Sequence, residues 1–320
     1  MTTIKSINML KRFFSFQNIF ILTISALLLL VIYKNGLKYN ETLLPEGFEG
    51  MDTNKFELKK SVKDIYDPFY SNIYDDLCGD EGKHYFEIEH IGLNTNLNES
   101  SKILDIGSAC GHTVNSLSKK APHVIGLDKS KSMCDKASEK YPKNKFIVGD
   151  ASSSITFDEE EFTHITCLYF TVYYFQDKRV FFKNCYDWLK PGGHMIVHIV
   201  NKEMFDPVLP KGNPLVGVNA QKYTKERILK TDIVFKNFNY TSHFVPDDKK
   251  NGNLNTEFVE TFSTRKNKKV FRKNIHRLYM EDQSIILSTA KQMGFIVKTK
   301  YDMRPCTYEY NYLYVLKKPN

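Results

Sequence analysis

The feature that most constrains the fold is an alternation of short apolar runs with helical stretches between residues 102 and 200. The apolar runs are Ile103–Ile106, Val124–Leu127, Phe146–Val148, Ile165–Phe170 and Met195–Val200. The stretches of helical spacing between them are His112–Lys119, Ser132–Lys140 and Lys178–Leu189. Continuous apolar runs are typical of strands buried on both faces, and intervening helices indicate a parallel sheet that they cover. The pattern therefore predicts a doubly wound α/β fold.

The end of the chain departs from this alternation. Gln283–Met293 has helical spacing, but Phe295–Tyr301 and Tyr308–Leu316 then follow as two strands with no helix between them. Parallel neighbours need a long crossover connection, whereas antiparallel neighbours do not. We therefore expect an antiparallel partner at the edge of the sheet.

Residues 201–280 do not fit the alternation either. Ile233–Val245 and Glu257–Phe271 have the pattern of two long amphipathic strands, connected by the polar segment Pro246–Asn255. This stretch predicts an inserted antiparallel cap. Ahead of the sheet, Asp67 and Pro68 form a good helix start, with Asp as the N-cap and Pro at the first helical position.

A turn of small residues follows the first strand of the alternation. Gly107, Ala109 and Gly111 come directly after the strand that carries Asp105. Such a turn, opening into a helix, presents free backbone N–H groups to a ligand that can approach closely. A dinucleotide site needs G-x-G-x-x-G, and here Ala109 and His112 replace two of its glycines. The Gly-Lys-Ser/Thr ending of a P-loop is absent as well.

The turn and its neighbours resemble class I S-adenosylmethionine-dependent methyltransferases. Ile103-Leu-Asp-Ile-Gly-Ser-Ala-Cys-Gly111 is similar to their first motif, a strand, an acidic residue and a G-x-G-x-G turn, with Ala109 in place of the central glycine. Three further motifs follow in the family's order: Ile125-Gly-Leu-Asp128, Phe146-Ile-Val-Gly-Asp150-Ala151 and Trp188-Leu-Lys-Pro191-Gly-Gly193.

The resemblance implies a Rossmann-like sheet of seven strands, with S-adenosylmethionine as the cofactor and no metal. In the family, the acidic residue matching Asp128 accepts hydrogen bonds from the ribose, and the one matching Asp150 faces the adenine amino group. The cofactor-binding residues implied by the resemblance are Asp105, Gly107, Ser108, Ala109, Gly111, Asp128, Lys129, Asp150, Ala151 and Tyr70.

Two aromatic segments bear on the methyl acceptor. Tyr66-Asp-Pro-Phe-Tyr-Ser-Asn-Ile-Tyr-Asp75 resembles the helix that covers the cofactor in small-molecule methyltransferases of this class. The run Leu168–Tyr174 stands where an Asn-Pro-Pro-Tyr motif would indicate an amino group of a nucleic-acid base or of glutamine as acceptor. The aromatic run instead suggests an apolar, stacking pocket, although about half of its side chains must fill the core. The candidate residues near the acceptor are Tyr169, Tyr173 and His112.

The N-terminal region predicts a membrane anchor. No residue from Phe13 to Tyr33 is charged, and a helix of this length reaches about 31 Å, enough for a bilayer core. We divide the chain into a tail (1–12), a transmembrane helix (13–33), a linker (34–60) and a methyltransferase domain (61–320) that contains the cap. Single-pass anchors also occur on such enzymes among large DNA viruses, whose Asn-, Lys- and Tyr-rich compositions are similar.

Two features bear on the orientation of the anchor, and they point in opposite directions. The positive charges around it are Lys5, Lys11 and Arg12 before and Lys34 and Lys38 after. This bias favours a cytoplasmic N-terminus, whereas the methyl donor is made in the cytosol. We give the donor priority and predict that the catalytic domain faces the cytoplasm.

Two other destinations remain open. No acidic residue precedes Glu41, as in a mitochondrial presequence. The sequons at Asn40, Asn98 and Asn239 would matter only in a lumenal domain.

The charges and cysteines add weaker constraints. The net charge is +8, and the segment Arg265–Arg277 is strongly basic. It could contact nucleic acid or anionic lipid, but a solvated hairpin edge blunted by lysines is the favoured interpretation. The six cysteines have neither zinc-ligand nor regular disulfide spacing, so free thiols are expected.

The sequence as a whole predicts a membrane-anchored methyltransferase. Its acceptor would be a small molecule or lipid, with nucleic acid a less favoured partner, and the oligomeric state is open. The alternatives are a catalytically silent methyltransferase-fold scaffold, favoured by Ala109, and an RNA methyltransferase that uses Arg265–Arg277. Loss of donor binding in Asp105→Ala is expected under the first hypothesis.

Overall fold

A computed structural model of the chain describes residues 20–31, 53–212, 219–247 and 256–320. The chain divides into two units, Met1–Leu44 and Pro45–Asn320. In the first unit, residues 20–31 form a helix whose side chains are all exposed. None of the helices in the described ranges has both the length and the apolar character needed to cross a membrane.

The predicted anchor is only partly covered by these ranges. Of segment 13–33, residues 13–19 and 32–33 lie outside the described residues, as do the tail 1–12 and most of the linker 34–60.

The second unit begins with one strand and three helices. Strand β1 is Glu57–Lys59, so part of the predicted linker belongs to the folded unit. The helices are α1 (Val62–Ile65), α2 (Pro68–Cys78) and α3 (Glu81–Gly92). The predicted helix start is confirmed, because the carboxylate of Asp67 accepts a hydrogen bond from the N–H of Tyr70 at 3.1 Å.

The central sheet has the predicted architecture. Its strands are β2 (Lys102–Ile106), β3 (His123–Asp128), β4 (Lys145–Val148), β5 (Phe162–Cys167) and β6 (Leu189–Val200). All five are parallel, in the spatial order β6-β5-β2-β3-β4. The helices that follow β2, β3 and β5 are α4 (His112–Leu117), α5 (Lys131–Lys140) and α6 (Lys178–Trp188).

The order of the strands reverses between β2 and β5. In an open α/β sheet, ligands bind outside the carboxyl ends of the strands at such a switch point. The loops after β2 and β5 are therefore the expected walls of a site.

The cap is a separate five-stranded sheet. Its remaining strands are β7 (Lys230–Val234), β8 (Phe238–Val245), β9 (Thr256–Thr264) and β10 (Val270–Leu278). The order is β1-β10-β9-β8-β7, antiparallel except for the parallel pair of β1 and β10. The prediction of two long strands was wrong, because each of them is folded into a hairpin.

The chain ends as predicted, with α7 (Gln283–Gln292), β11 (Ile296–Asp302) and β12 (Asn311–Lys317). Strand β12 pairs antiparallel with β6, and β11 pairs antiparallel with β12, which completes seven strands. The predicted turn at Pro191-Gly-Gly193 is an irregular part of β6, where Gly192 has a φ of 77°.

Strand β5 is shorter than predicted, and this difference shapes the site. It ends at Cys167 rather than Phe170, because Tyr169 takes a φ of 52° and the chain leaves the sheet. A 3₁₀ turn, Thr171–Tyr174, follows. The predicted aromatic run therefore lies across the carboxyl end of the sheet instead of within it.

Candidate active site

The loop between β2 and α4 has an unusual backbone. The φ angles are 74° at Gly107, 44° at Ala109 and 83° at Gly111, all in the left-handed region. The N–H groups of Gly107 and Ser108 donate to the carbonyl of Leu127 at 2.8 and 3.1 Å. The loop is thereby fixed to the end of the neighbouring strand β3.

Two of these positions accept only glycine. A Cβ at Gly107 would lie 2.5 Å from the side chain of Thr171, and one at Gly111 would lie 2.6 Å from the ring of Phe146. Ala109 holds a left-handed conformation that costs an L-residue roughly 1 kcal/mol. The departure from the family's central glycine therefore leaves the shape of the loop intact.

Asp128 at the end of β3 holds the other side of the loop. One oxygen accepts a hydrogen bond from the N–H of Ala109 at 3.0 Å, and the other accepts from Ser130 at 2.9 Å. Burial raises the pKa of Asp128, and these backbone N–H groups oppose the rise. The carboxylate lines a small cavity of about 100 Å³ whose walls also include Lys129, Met133 and Ala151.

The predicted residues Lys129 and Asp150 pair with each other. Lys129 Nζ lies 2.8 Å from Asp150 Oδ2, and the N–H of Ser152 donates to Asp150 Oδ1 at 2.8 Å. Although partial burial raises the pKa of Asp150, these partners hold it below its ordinary value. The backbone on either side of Asp150, at Gly149 and Ala151, lines the small cavity, whereas the Asp150 carboxylate is engaged by Lys129.

Asp105 is a buried carboxylate at the end of β2. Its side chain is 3% exposed, and Oδ1 accepts a 2.6 Å hydrogen bond from Thr166 Oγ1. Burial raises the pKa of Asp105 to about 7. No cation is paired with it among the described residues. The hydroxyl of Ser108, also buried, has no hydrogen-bond partner within the same ranges.

A larger cavity of about 470 Å³ opens beside this loop and is lined by Asp105, Gly107 and Ala109. It shares Tyr66, Tyr174 and Thr171 with the small cavity, so the two adjoin at these residues. Its walls are strongly aromatic and include Tyr66, Tyr70, Tyr74, Tyr169, Phe170, Tyr174, Phe205, Phe244, Phe258 and His276.

The same cavity has more acidic than basic side chains. Its carboxylates belong to Asp75, Asp80, Glu81, Glu87 and Asp105, and its one lysine is Lys83. Lys83 Nζ is paired with Glu87 at 3.1 Å in the buried wall. The lining is therefore suited to a ligand with a positive charge and an apolar body.

Two of the three predicted acceptor residues line the cavity. The ring of Tyr169 lies beneath Lys83 Nζ, which is 4.8 Å from its centroid, and burial raises the pKa of Tyr169 far above its usual range. His112 lies at the N-terminus of α4, with Nε2 3.0 Å from Asp75 Oδ2 and Nδ1 2.9 Å from the hydroxyl of Tyr141.

The third prediction, Tyr173, was wrong. Its side chain is fully buried, and its hydroxyl accepts a 2.8 Å hydrogen bond from the N–H of Val200 in β6. The 3₁₀ turn aims Tyr173 into the core and the next residue, Tyr174, into the cavity. Sequence alone could not show which of the two adjacent tyrosines faces inward.

We expect the Tyr173→Phe substitution to lower stability and to leave activity unchanged. Removal of the hydroxyl leaves the buried N–H of Val200 without its acceptor, which should lower the free energy of unfolding by about 1–3 kcal/mol. Urea unfolding followed by circular dichroism measures this change. Donor binding should be unaltered. If the variant has wild-type stability but has lost methyl transfer, Tyr173 takes part in the reaction.

Tyr70 and the cap contribute a network that the sequence did not reveal. Glu260 in β9 is fully buried, and its Oε1 accepts hydrogen bonds of 2.7 Å from both Tyr70 and Tyr240. Its Oε2 accepts from Asn274 at 2.8 Å and from His276 at 2.7 Å. Tyr70, predicted to bind the cofactor, lines the large cavity with its hydroxyl directed to Glu260.

The basic segment 265–277 is not a single charged surface. Arg272, Asn274 and His276 are buried, and only the hairpin stretch Arg265–Val270 and the side chain of Arg277 are exposed. Strand β1 pairs with β10, so β10 is not at the edge of its sheet. The prediction that this segment forms a solvated edge blunted by lysines was therefore wrong. The period-two placement of Arg272, Asn274 and His276 was the available signal that one face of this strand is buried and polar.

Neither the cysteines nor potential metal ligands form a further site in the described ranges. The six cysteines are free thiols, and within residues 20–31, 53–212, 219–247 and 256–320 no side-chain group is arranged to hold a metal.

Comparison with known families identifies the central sheet. Residues 104–197 match a family described as a methyltransferase domain. This part of the chain is a class I methyltransferase domain. The predicted family and its cofactor, S-adenosylmethionine, are thereby confirmed.

Two of the curated proteins that match this chain are methyltransferases by name. Phosphoethanolamine N-methyltransferase of Plasmodium falciparum is 32% identical over 108 residues, which are 32% of this chain and 40% of that protein. Demethylmenaquinone methyltransferase of Thermotoga maritima is 34% identical over 98 residues, 30% of this chain and 42% of that protein. The match thus spans less than half the length of either relative.

Solved structures extend the similarity to the fold of most of the chain. An S-adenosylmethionine-dependent methyltransferase from Clostridium acetobutylicum superposes with a TM-score of 0.58 at 18% identity, covering 78% of this chain and 98% of that one. The amino pentose methyltransferase CalS10 from Micromonospora echinaspora gives 0.52 at 16% identity, covering 75% and 92%. At these identities the likeness shows a common fold.

Proposed function

We propose that the protein transfers the methyl group of S-adenosylmethionine to an amino group of a small molecule or lipid bound in the large cavity. The observation that carries this proposal is the position of the cavity, which adjoins the Gly107–Gly111 loop and combines aromatic walls with an excess of carboxylates.

The residues around the loop fit the methyl donor. Asp128 keeps lone pairs free to accept from ribose hydroxyls, since a carboxylate has about four acceptor positions and two are used. Asp105 is a buried carboxylate that a cationic ligand would compensate, and the donor carries both an ammonium and a sulfonium charge. Ser108 offers a buried hydroxyl that lacks a partner among the described residues.

The acceptor class follows from the walls of the cavity. Aromatic faces attract ammonium groups, and carboxylates add Coulombic attraction. The names of two of the similar proteins agree with an amine: phosphoethanolamine N-methyltransferase and the amino pentose methyltransferase CalS10.

The chemistry asks little of the protein beyond positioning. When bound, the donor supplies an activated methyl group on a positively charged sulfur, with a neutral thioether as the leaving group. The chain must hold the acceptor nitrogen in line with that methyl group and exclude water. Three tyrosines serve the second requirement, because Tyr66, just before α2, and Tyr70 and Tyr74, within α2, line the large cavity beside the loop with ring centroids 5.2–6.3 Å apart.

Labelled donor tests this function directly. The full-length protein is incubated with cell extract and methyl-deuterated S-adenosylmethionine, and small-molecule, lipid and RNA fractions are analysed by mass spectrometry. We expect a deuterated methylamine in a small-molecule or lipid fraction that is absent with Asp105→Ala. Label confined to RNA would contradict an amine metabolite, and no labelled product would favour a silent scaffold.

We also propose that residues 13–33 anchor the protein, with the catalytic domain on the cytoplasmic side where the donor is made. The absence of charge from Phe13 to Tyr33 supports the anchor. Alkaline extraction should leave the full-length protein in the membrane fraction. A cytoplasmic domain should carry no glycan at Asn98 or Asn239, and glycosylation at either would reverse the orientation.

A further inference from the structure

A continuous chain of hydrogen bonds runs from the core of the cap to the place where the two cavities meet. Glu260 Oε2 lies 2.7 Å from His276 Nε2, and His276 Nδ1 lies 2.7 Å from the hydroxyl of Tyr174. The hydroxyl of Tyr174 is in turn 2.9 Å from that of Tyr66. Tyr66 and Tyr174 line both cavities.

The inner end of this chain fixes its direction. Glu260 accepts hydrogen bonds from Tyr70 and Tyr240 at Oε1 and from Asn274 and His276 at Oε2, and these four donors are satisfied by an ionised carboxylate. An ionised carboxylate only accepts hydrogen bonds, so His276 Nε2 must carry a hydrogen. In a neutral imidazole Nδ1 is then the acceptor, and the hydroxyl of Tyr174 must donate to it.

The directions of the hydrogen bonds are fixed as far as the cavity. Because the single hydrogen of Tyr174 is directed at His276, its oxygen accepts from the hydroxyl of Tyr66. The hydroxyl hydrogen of Tyr66 is therefore directed at Tyr174 and away from the cavity. Its oxygen presents only lone pairs to the cavity, so it is an acceptor at the point where donor and methyl acceptor would meet.

We propose that Tyr66, Tyr174, His276 and Glu260 form a proton relay that removes a proton from the ammonium group of the acceptor. The inference rests on the proposed amine acceptor, because an ammonium nitrogen has no lone pair with which to attack. Tyr66 is the catalytic residue that contacts the substrate, and the three behind it are positioning residues that act through it.

Proton transfer along the relay frees the nitrogen for methylation. The acceptor's proton passes to the oxygen of Tyr66 as the proton of Tyr66 moves to Tyr174 and that of Tyr174 moves to Nδ1 of His276. The nitrogen lone pair so freed forms the N–C bond while the S–C bond breaks and its electrons leave with sulfur. The product is a methylammonium ion. His276 becomes an imidazolium beside the Glu260 carboxylate and returns its proton to solvent after product release.

The groups that face His276 are suited to this role. They come from three elements: Glu260 from β9, Tyr174 from the 3₁₀ turn, and Tyr66 and Tyr70 from the segment that begins α2, with ring centroids 5.8 and 6.2 Å from the imidazole. Phe258 closes one side at 5.7 Å. The carboxylate is the one charged group among them, and it stabilises the imidazolium.

Two variants test the relay in the full-length protein. Tyr66→Phe keeps the ring, and His276→Gln keeps a donor to Glu260 but cannot take up a proton. Methyl transfer to phosphoethanolamine and to ethanolamine is measured from pH 6.5 to 9, and donor affinity is measured separately. We expect kcat at pH 7 to fall on the order of 100-fold in both variants, with donor affinity unchanged. The deficit should shrink roughly tenfold per pH unit, since more acceptor then arrives already deprotonated.

Tyr173→Phe is the matched control, because it removes a neighbouring tyrosine hydroxyl outside both cavities. It should keep the wild-type kcat and pH profile. Relay variants that stay within twofold of wild-type kcat, or that lose activity equally at every pH together with donor affinity, would overturn the relay.

Nitrogen-15 NMR of the histidine-labelled protein provides a readout that needs no acceptor. The relay requires His276 to be neutral at pH 7 with its hydrogen on Nε2. A doubly protonated His276 up to pH 9 would overturn the relay even if amine methylation is found. If the wild type methylates neither phosphoethanolamine nor ethanolamine, the amine proposal fails for these two acceptors. The NMR result alone then decides whether the relay can accept a proton.

Discussion

Replacing Arg272 with leucine is expected to lower the free energy of unfolding by about 3–5 kcal/mol. Arg272 is fully buried and ties the cap to the junction of α1 and α2, with Nη1 2.7 Å from Asp67 Oδ2 and Nη2 2.7 Å from the carbonyl of Ile65. It also donates to Asn274 and lies over the ring of Phe69 at 4.9 Å. Its removal leaves the carboxylate of Asp67 and two other acceptors without this donor.

Equilibrium urea unfolding measures the effect. Arg277→Leu is the matched control, since Arg277 lies on the same strand with an exposed side chain and should change stability by less than about 0.5 kcal/mol. Equal effects of the two substitutions would mean that Arg272 does not hold the cap to the junction of α1 and α2.

Asp105→Asn is expected to stabilise the protein at high pH while abolishing donor binding. The folded pKa of Asp105 is about 7, against about 3.9 for an aspartate in an unfolded chain. Between these values the folded state holds a proton that the unfolded state has released, so wild-type stability falls as pH rises. Asparagine does not titrate, and the variant should be more stable by about 2–4 kcal/mol at pH 8.

The advantage of Asp105→Asn should vanish near pH 4, where the aspartate is protonated in both states. Melting temperatures of the wild type and the variant between pH 4.5 and 8 test this expectation. Parallel curves of melting temperature against pH would show that burial does not raise the pKa of Asp105. A variant that binds the donor as tightly as the wild type would remove Asp105 from the site.

The sequence predicted the central sheet because four of its five parallel strands, β2, β3, β5 and β6, are largely buried, and such strands are continuous apolar runs. It failed in the cap for a related reason. Phe235 and Phe238 are both buried, so the apolar pattern continues through the turn between β7 and β8 and hides the hairpin. The segment Arg265–Lys269 divides the second predicted strand in the same way.

The donor side of the site was predictable because it depends on local spacing. Gly107, Gly111 and Asp128 act through the backbone of one loop and the end of the next strand. The acceptor side depends on pairing between distant segments. Glu260 meets His276 and Tyr70 only because β9 pairs with β10 and α2 packs against them, and no local pattern reports such contacts.

The central claim is that the Gly107–Gly111 loop, Asp105 and Asp128 hold S-adenosylmethionine beside the aromatic cavity. Isothermal titration of the full-length protein with the donor tests it most directly. We predict saturable binding at one site per chain that S-adenosylhomocysteine displaces, and an affinity at least tenfold lower in Asp128→Ala, since a charged hydrogen-bond acceptor is lost. No binding at millimolar donor, or equal affinity in the variant, would contradict the account.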